Sequence, residues 1–418
     1  MRSAIRRTAR RRTRGRLTAA AAACALLSAG AFLSACSATA SAAALAAQPR
    51  QAGTTLQAAL RRDLSDYLTT RRTAEHISAV SLQITFPGTR PAISLADGTT
   101  RYHGGPPVSA SAPWQIGSNT KAFTAVILLQ LEAEGKLSID DPIGTWLPQY
   151  PAWRHITIRQ LLDMTSRIPN YTSQPAFVTA LAANPSARFT TAQLVSYVAG
   201  LPLGPKGYHY SNTDYLLAQM IIEKITHHSY ASELSRRIIT PLRLATTCLA
   251  PYTCPASDAG RMPAGYFYIA GGPPSLIGKA MPPLALTWAQ AAGGIVSSLA
   301  DLTTWDRALY SGELLPALQQ HQLESLVSEA TGKPIRRTAP GGPLGYGLGV
   351  QQENSRQTGP FWAYQGQAFG ARVLNLYFPR TGMSIALAVN SATDNDDLSD
   401  LSGSVYQTLQ HAGAIPGS

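Results

Sequence analysis

The sequence predicts an α+β fold, in which an antiparallel sheet is flanked by helices and an all-α lobe is inserted. Two observations support this prediction. Segments in which apolar and polar residues alternate lie near both ends of the chain, as in half-buried strands. Between them, over residues 142–287, helical segments are joined by loops that contain proline and glycine. A single sheet assembled from both ends, with the helices inserted, fits this order.

The N-terminal part of the predicted sheet consists of two strands. Residues 79–86 and 93–102 alternate in polarity and are bounded by turn-forming residues. A helical pattern over residues 56–76 precedes them. A long apolar helix is predicted over residues 118–134, where Gly135 ends it.

Strand character returns near the C-terminus. Residues 346–352, 372–378 and 383–390 alternate, and the last two segments are joined by a short stretch of turn-forming residues. A closing helix is predicted over residues 398–411, which leaves residues 412–418 as a tail.

Residues 1–35 are predicted to be a signal peptide. Eight arginines lie among the first sixteen residues, and a segment rich in alanine and leucine follows. Leu33-Ser34-Ala35-Cys36 resembles the box at which bacterial lipoproteins are cleaved and lipidated. We therefore expect an exported protein, periplasmic or at the cell surface, whose Cys36 carries a lipid that anchors it to a bacterial membrane. The alternative is an ordinary cleavable signal with a chance cysteine; in either case residues 36–55, rich in Ala, Ser and Gln, are expected to form a tether.

The charge of the chain gives no sign of a nucleic-acid partner. The formal net charge is +12, and removing the eight positive charges of the first sixteen residues leaves +4. The sequence contains no basic stripe interleaved with aromatic residues. We expect a monomer that contacts the membrane only through its N-terminal lipid.

Two cysteines of the mature chain, Cys248 and Cys254, stand close together in the sequence. In an oxidising compartment they are predicted to form a disulfide that closes a small loop. A metal site is the alternative, but no paired His or Cys ligands at zinc spacing lie nearby. We expect neither a metal nor a cofactor.

The pattern that carries chemistry is Ser118-Asn119-Thr120-Lys121, at the start of the long predicted helix. A lysine three residues after a serine lies one turn further along the same helix face, where its amine reaches the hydroxyl. The positive end of the helix dipole disfavours the ammonium form of that lysine and stabilises negative charge on the serine. The N–H of Ser118 can serve as an oxyanion donor. Alone, the pattern is weak, since most such matches are solvated helix surface.

Several stretches surround this pattern or follow it along the chain. They are residues 116–125, 131–142, 156–162, Tyr210-Ser211-Asn212, residues 292–298 and residues 345–349. Together they resemble the serine β-lactamase and penicillin-recognising D,D-peptidase family, in its class C, D,D-carboxypeptidase and esterase branch. The resemblance covers about residues 56–411, which are expected to form one serine hydrolase domain with the β-lactamase/D,D-peptidase fold.

The resemblance implies a role for individual residues. Ser118 is expected to be the acylated nucleophile and Lys121 its partner base. Tyr210 is expected to carry a proton to and from the leaving group, and Asn212 to hydrogen-bond the substrate or the lysine. The backbone N–H of Gln367 is expected to be the second oxyanion donor.

The sequence departs from the family at its third motif. A Lys or His, then Thr or Ser, then Gly is expected on the strand that faces the nucleophile, and here the register gives Tyr364-Gln365-Gly366 as substrate-binding residues. Gly366 keeps the close approach of a substrate to the backbone, but the cation and the hydroxyl group are missing. A second departure is Met164-Thr165-Ser166-Arg167, which stands where the family usually has His-Thr-Ser-Gly. It leads us to expect Arg167 and Tyr171 at the edge of the cleft.

The resemblance implies acyl transfer through an acyl-serine on cell-wall D-alanyl peptides or related amides. Hydrolysis of β-lactams or of small esters is the alternative within the same chemistry. A catalytically idle binding lipoprotein is the alternative of another class, and the intact Ser118, Lys121 and Tyr210 argue against it. Because the third motif lacks its cation, we also expect poor β-lactamase activity and better turnover of uncharged esters or amides, unless Arg372 or Arg167 restores the charge.

Overall fold

The structure, a computed structural model, describes residues 41–393 and 398–416. The chain divides into a first unit, residues 1–50, and a second unit, residues 51–418. The predicted signal peptide and Cys36 lie outside the described residues, so the lipid anchor stays a prediction from the sequence. No helix in the described part of the chain is both long enough and apolar enough to cross a bilayer.

Most helices lie in the middle of the chain, in agreement with an inserted lobe. The described helices are α1 (Ser41–Glu75), α2 (Thr120–Ala133), α3 (Ile158–Leu162), α4 (Pro175–Ala183), α5 (Thr191–Ser196), α6 (Asn212–Thr226), α7 (Tyr230–Leu234), α8 (Thr240–Leu242), α9 (Asp258–Arg261), α10 (Gln290–Gly293), α11 (Leu299–Tyr310), α12 (Ala317–Leu323) and α13 (Ser399–His411). Two of the lobe helices begin with a capping box, in which Thr157 and Thr190 accept from the backbone N–H three residues on.

The strands form one large sheet and two small ones. They are β1 (Ala79–Thr85), β2 (Ile93–Arg101), β3 (Gly104–Pro107), β4 (Pro113–Gln115), β5 (Cys248–Leu249), β6 (Gly265–Tyr268), β7 (Ala280–Met281), β8 (Ile295–Ser298), β9 (Leu326–Ser328), β10 (Pro334–Ile335), β11 (Gly345–Tyr346), β12 (Gln351–Ser355), β13 (Gly359–Ala368), β14 (Ala371–Phe378), β15 (Met383–Val389) and β16 (Ser391–Thr393). Within the described residues the large sheet has the order β10-β9-β11-β12-β13-β14-β15-β1-β2-β3. The small sheets have the orders β16-β6-β7 and β4-β8-β5.

The two ends of the domain meet inside the large sheet. β1 pairs antiparallel with β15, which places Leu82 opposite Leu387, and with β2, which places Leu82 opposite Leu95. The prediction of an antiparallel sheet built from both ends of the chain, with helices inserted between them, is confirmed.

The large sheet separates two hydrophobic cores. On one face, Leu82 of β1 packs in a cluster with Leu60 of α1 and Val405 of α13. On the other face, Val373 of β14 belongs to a larger cluster that contains Phe123 of α2 and the buried face of α6. Burial of this apolar surface contributes about 25 cal/mol per Å² and fixes α2 and α6 against the sheet. The first turns of both helices thereby converge near the edge of β13.

Both ends of the domain differ from the sequence-based expectation. Within the described residues α1 extends back to Ser41, into the segment of residues 36–55 that was expected to be a tether, and the many alanines of this segment favour a helix. The expected tail after residue 411 is partly packed: Ile415 is buried, and Arg90 donates from Nη1 to the carbonyl oxygen of Ala414 at 2.7 Å.

The lobe of residues 142–287 is not all-helical, since β5 precedes α9. Beyond it the chain returns to strands, and β6 pairs in parallel with β16. The sequence of β6, Gly-Tyr-Phe-Tyr, favours a strand because aromatic side chains pack well on a pleated surface.

The strand expected over residues 346–352 is broken into the end of β11 and the start of β12. Between the two, Gly349 has a φ of +76°, and a Cβ there would lie 2.9 Å from the carbonyl oxygen of Lys121. The break therefore lets the chain pass close to the backbone of α2. The strand that faces the nucleophile, β13, is ten residues long, whereas only its third-motif residues were expected in a strand.

Candidate active site

Ser118 lies in the tight turn, Gly117–Asn119, that joins β4 to α2. The turn favours glycine at position 117, since the φ of Gly117 is +52° and a Cβ there would lie 2.7 Å from the backbone nitrogen of Gln367. Asn119 holds the turn against the sheet by donating from Nδ2 to the carbonyl oxygen of Val373 at 3.0 Å. Ser118 is thereby fixed, half-exposed, at the N-terminal end of α2.

The amine of Lys121 is buried and has three hydrogen-bond partners. Its Nζ lies 3.1 Å from Ser118 Oγ, 2.8 Å from Asn212 Oδ1 and 2.7 Å from the carbonyl oxygen of Ala292. The last two oxygens can only accept, so a neutral amine spends both of its N–H groups on them. Its lone pair then points at the Ser118 hydroxyl, which is the orientation that a general base requires.

Burial lowers the pKa of Lys121 below the ordinary value of 10.5, because the charged form loses its hydration. The neighbouring Tyr210 and Asp214 act in the opposite direction and offset part of this effect. A larger fraction of Lys121 is therefore the free base at neutral pH than for an exposed lysine.

Tyr210 lies on the other side of the nucleophile. Its Oη is 2.5 Å from Ser118 Oγ, and its ring centroid is 4.8 Å from Lys121 Nζ. The phenol is 38% exposed, so it borders the solvent-filled cleft as well as the buried amine. A hydroxyl in this place can pass a proton between the amine and a leaving group.

The orientation of the Asn212 amide is set by two residues of the neighbouring loop. Asn212 donates from Nδ2 to Thr172 Oγ1 at 3.1 Å, while the Thr172 hydroxyl donates to Asn170 Oδ1 at 2.9 Å. Asn170 Oδ1 also accepts from the backbone N–H of Asn212 at 3.1 Å. Because the Thr172 proton is used on Asn170, the amide must present its nitrogen to Thr172 and its oxygen to Lys121.

The backbone of β13 passes directly over the nucleophile turn. A Cβ on Gly366 would lie 1.9 Å from the carbonyl oxygen of Ile116 and 2.9 Å from the backbone nitrogen of Ser118. Gly366 is therefore required for this approach, which places the backbone of Gln367 beside Gly117. The N–H groups of Ser118 and Gln367 are the candidate oxyanion donors.

Gly366→Ala is expected to destabilise the fold by about 1–3 kcal/mol, because the added methyl group meets backbone on two sides. Displacing β13 by as little as an ångström is also expected to lower kcat/KM by roughly a hundredfold. Thermal unfolding and turnover of an activated ester measure the two effects. Gly403→Ala in α13 is the matched control, since its Cβ meets nothing within 4 Å. An unchanged activity in Gly366→Ala would contradict the assigned geometry.

The third-motif residues lie on opposite faces of β13. The Tyr364 side chain is half-buried on the face of the nucleophile, where its hydroxyl is 2.9 Å from that of Tyr346. Gln365 instead accepts at Oε1 from the backbone N–H of Leu398 at 3.1 Å, on the α13 side. The expectation that Gln365 binds substrate is therefore wrong, because successive side chains of a strand point to opposite faces.

The expectation that Tyr171 edges the cleft is also wrong. Its side chain is 0% exposed, packs edge-on against Phe177 and donates its hydroxyl proton to the carbonyl oxygen of Trp288. The apolar ring fills the lobe core and the hydroxyl finds a backbone partner, as buried tyrosines usually do.

Both arginines that were considered as substitute cations have partners away from the third motif. Arg372 is fully buried and forms an ion pair with Glu75 Oε2 at 2.7 Å, between β14 and α1. Arg167 donates from Nε to the carbonyl oxygen of Gly204 at 2.7 Å, which ties its guanidinium to the loop before Tyr210.

Sequence reasoning missed the residues whose hydrogen bonds hold the catalytic side chains in position. Asn170 and Thr172 flank Tyr171, and only their contacts with Asn212 reveal their role. The fully buried Asp214 accepts from the Ser166 hydroxyl at both carboxylate oxygens, at 2.7 and 2.8 Å, which ties the loop to α6. The one available signal for these supporting contacts was Asp214, two residues after Asn212, since an aspartate is almost never fully buried unless it is paired.

Cys248 and Cys254 are joined by a disulfide, with their Cα atoms 5.0 Å apart. Cys248 packs in a small hydrophobic cluster with Val296 of β8. The described residues contain no group of three or more His, Cys, Asp or Glu side chains that is placed to hold a metal ion.

A serine hydroxyl between a buried amine and a phenol, with two backbone N–H groups nearby, is the arrangement of a serine hydrolase that works through a covalent intermediate. The Beta-lactamase family profile matches residues 42–409, and the chain belongs to this family. Its members share a fold of serine hydrolases, and the resemblance seen in the sequence is confirmed.

Two curated relatives are penicillin-binding proteins of Bacillus subtilis. The chain is 25% identical over 303 residues to the putative penicillin-binding protein PbpX, which covers 70% of this chain and 66% of the relative. It is 26% identical over 268 residues to penicillin-binding protein 4*, which covers 62% of this chain and 56% of the relative. The chain thus spans less than two thirds of the length of either relative.

Solved structures with the same fold include two amide-cleaving enzymes. A D-stereospecific amidohydrolase from Streptomyces sp. is 28% identical, with a TM-score of 0.68 over 86% of this chain and 99% of that chain. A D-amino acid amidase from Ochrobactrum anthropi SV3, complexed with L-phenylalanine amide, is 22% identical, with a TM-score of 0.71 over 86% of this chain and 99% of that chain. The second likeness shows the fold alone, and together they confirm the predicted fold class.

Proposed function

We propose that the protein hydrolyses amides and esters through an acyl-serine, and that its preferred substrates carry no free carboxylate beside the scissile bond. The observation that carries this proposal is Tyr364. It occupies the position where the family resemblance leads us to expect a cation, and its hydroxyl bonds Tyr346. A phenol offers no positive charge to a substrate carboxylate.

The acylation step follows from the distances around the nucleophile. Ser118 Oγ attacks the carbonyl carbon and gives its proton to the Lys121 amine, 3.1 Å away. The N–H groups of Ser118 and Gln367 stabilise the negative oxygen that develops. Tyr210, whose Oη lies 2.5 Å from Ser118 Oγ and whose ring lies beside the Lys121 amine, gives its proton to the leaving nitrogen or oxygen as the bond to carbon breaks and takes one from Lys121.

Deacylation reverses the same transfers. A water gives a proton to Tyr210, which passes it to Lys121, while the hydroxide adds to the acyl carbon. Lys121 then returns a proton to Ser118 Oγ as the ester bond breaks, and the acid product leaves. Each residue thereby ends the cycle in the protonation state in which it began.

The comparison with the Streptomyces enzyme supports an amide substrate. That protein is named a D-stereospecific amidohydrolase, and it matches 86% of this chain at 28% identity. We propose that the acyl part of the substrate here is D-configured as well.

A D,D-carboxypeptidase acting on cell-wall D-alanyl peptides is the second candidate. It is favoured by the two relatives named as penicillin-binding proteins. Such peptides end in a carboxylate, so the two candidates differ in the charge of the preferred substrate.

Matched substrates separate the two candidates. We expect wild type to turn over N-acyl-D-alanyl-D-alaninamide at least as well as the free acid. We expect Tyr364→Lys to raise kcat/KM for the acid by about ten- to a hundredfold, since hydrogen bonds to charged groups contribute about 1.5–3 kcal/mol. Gln365→Thr is the matched control and should change nothing, because Gln365 faces α13.

A wild-type preference of a hundredfold for the acid, with no gain in Tyr364→Lys, would contradict the proposal. Arg167→Gln then tells whether Arg167 supplies the charge after all. The L-configured epimers, measured in the same series, test the stereochemical part.

A further inference from the structure

Two half-buried aromatic side chains, Trp288 and Phe369, stack on each other close to the nucleophile turn. Their ring centroids are 4.3 Å apart, and the two rings are inclined to each other by only 20°. Each ring keeps part of its surface exposed to solvent, and neither takes part in the chemistry of the nucleophile. Stacked rings offer a flat apolar surface of the kind that lines small-molecule sites.

Phe369 continues the strand that supplies the second oxyanion donor. It follows Gln367 by two residues, at the tip of the hairpin between β13 and β14. The tip lies directly on β6, since a Cβ on Gly370 would lie 2.6 Å from the Cα atom of Gly265. Phe369 is thereby held about 7 Å along the strand from the oxyanion donor.

Trp288 belongs to a second element that borders the nucleophile turn. It lies just before α10, whose last residue is Gly293, and a Cβ on Gly293 would lie 3.6 Å from the carbonyl carbon of Gly117. The same helix provides the backbone oxygen that accepts a hydrogen bond from Lys121. The carbonyl oxygen of Trp288 accepts from the hydroxyl of the buried Tyr171, which fixes Trp288 to the lobe.

The stack closes the space between these two elements at one end of the cleft. β13 and α10 both contact Gly117, and the aromatic residues that adjoin them meet in the stack. Phe267 of β6 meets Phe369 edge-on, with 5.5 Å between ring centroids, and the half-buried Ile269 packs on the same cluster. Trp288, Phe369 and Ile269 are called the apolar wall below.

The apolar wall and Tyr364 lie at opposite ends of the cleft along β13. Tyr364 precedes Gln367 by three residues, and Phe369 follows it by two. Because a strand advances about 3.3 Å per residue, these two positions are roughly 16 Å apart along the strand. The N–H group of Gln367 lies between them.

The leaving group belongs at the Tyr364 end. Tyr364 contacts Tyr346, whose ring centroid lies 5.4 Å from that of Tyr208. Tyr208 comes two residues before Tyr210, so the phenol that protonates the leaving group lies on this side of Ser118. The acyl part of the substrate, which stays on Ser118 after the bond breaks, then extends the other way, towards the apolar wall.

We propose that the apolar wall determines specificity by binding a large apolar side chain of the acyl group, and an aromatic ring above all. The inference rests on the proposed acyl-serine function and adds to it the chemical class of the acyl group. A substrate ring placed against Trp288 and Phe369 removes apolar surface of both partners from water and adds aromatic contacts. A methyl side chain leaves most of the wall exposed.

The readout is a ratio of kcat/KM values between two acyl groups on one leaving group. The p-nitrophenyl esters of N-acetyl-D-phenylalanine and N-acetyl-D-alanine are compared on the full chain, each value being divided by the rate at which hydroxide hydrolyses that ester. We expect wild type to prefer the phenylalanine ester by about ten- to a hundredfold, since hydrophobic pockets discriminate between apolar groups by roughly 10- to 200-fold. The same ratio is measured on the L epimers.

Removing either ring should lower this ratio. We expect Phe369→Ala and Trp288→Ala each to reduce it by about tenfold, the upper end of the usual range for one aromatic contact. Phe369→Leu keeps apolar bulk in the hairpin tip and should give an intermediate ratio. Phe361→Ala is the matched control and should match wild type, because Phe361 is a half-buried residue of the same strand that stacks on Phe378 in the other hydrophobic core.

Two results would overturn the inference alone while Ser118 is still acylated by the alanine ester. One is a wild-type ratio within twofold of one for both epimers. The other is a high ratio that stays within twofold of wild type in Phe369→Ala, Phe369→Leu and Trp288→Ala. A wild type that is not acylated at Ser118 would overturn the proposed function and this inference with it.

Discussion

Ser118→Ala is expected to abolish acyl-enzyme formation and to lower kcat by roughly 10⁶-fold, because nothing remains to attack the carbonyl carbon. The fold should be unaffected, since the Ser118 hydroxyl is half-exposed and Lys121 keeps its contacts with Asn212 and Ala292. Changes of this kind at exposed positions usually lie within about 0.5 kcal/mol. Mass spectrometry after incubation with a fluorescent penicillin or an activated ester measures the adduct.

The matched control for this experiment is Ser111→Ala. Ser111 is an exposed serine shortly before β4, and its hydroxyl bonds only Ser109 among the described contacts. It should be labelled like wild type. An adduct that persists in Ser118→Ala, or that maps to another residue of wild type, would remove Ser118 from its assigned role.

Features that depend on local spacing could be predicted from the sequence. The approach of Lys121 to Ser118 follows from one turn of helix, and the central strands follow from alternation of apolar residues. Ser118, Lys121, Tyr210 and Asn212 are brought together within hydrogen-bond distances.

Features that depend on which way a side chain points could not be predicted. Tyr171 and Thr172 are neighbours in the sequence, yet the ring of Tyr171 fills the lobe core while the hydroxyl of Thr172 orients Asn212. Gln365 turns away from the cleft because its neighbour Tyr364 turns towards it. In such cases the register of a strand or turn decides, and composition carries no information on it.

Contacts between distant segments were equally hidden. Tyr215 of α6 donates to the carbonyl oxygen of Leu162 in α3, and the hydroxyl of Tyr346 meets that of Tyr364, although neither pair is close in sequence. Arg372 looked like a free cation near the cleft, but its partner Glu75 lies at the other end of the chain. Only the packed fold shows that this charge is already paired.

The second large effect is expected at the general base. Lys121→Met should lower kcat/KM by roughly 10²- to 10⁴-fold, the usual range for a positioned general base. Lys121→Arg should fail as well, although it keeps a positive charge, because a guanidinium group does not give up its proton at working pH. An effect of charge alone would predict the opposite, with arginine partly active.

The pH dependence of kcat/KM is a second test of Lys121 as the general base. The pKa of Lys121 is lowered by burial, and the free base is the active form, so kcat/KM of wild type should rise with pH through this lowered pKa. The limb should lie below the ordinary lysine value of 10.5 and should disappear in Lys121→Met. Kinetics with an activated ester over the range of pH in which the fold is stable would measure it.

The free energy of unfolding should also depend on pH through Lys121, and the lowered pKa sets the sign of this dependence. The folded protein holds the Lys121 proton less tightly than the unfolded chain, so unfolding takes up a proton between the two pKa values. The free energy of unfolding therefore gains a contribution as pH rises through this window, and loses it as pH falls through the folded pKa. Lys121→Met should remove this contribution, which chemical denaturation at several pH values measures. A Lys121→Met variant that keeps both the acid limb of kcat/KM and the pH dependence of stability would mean that another group is the base.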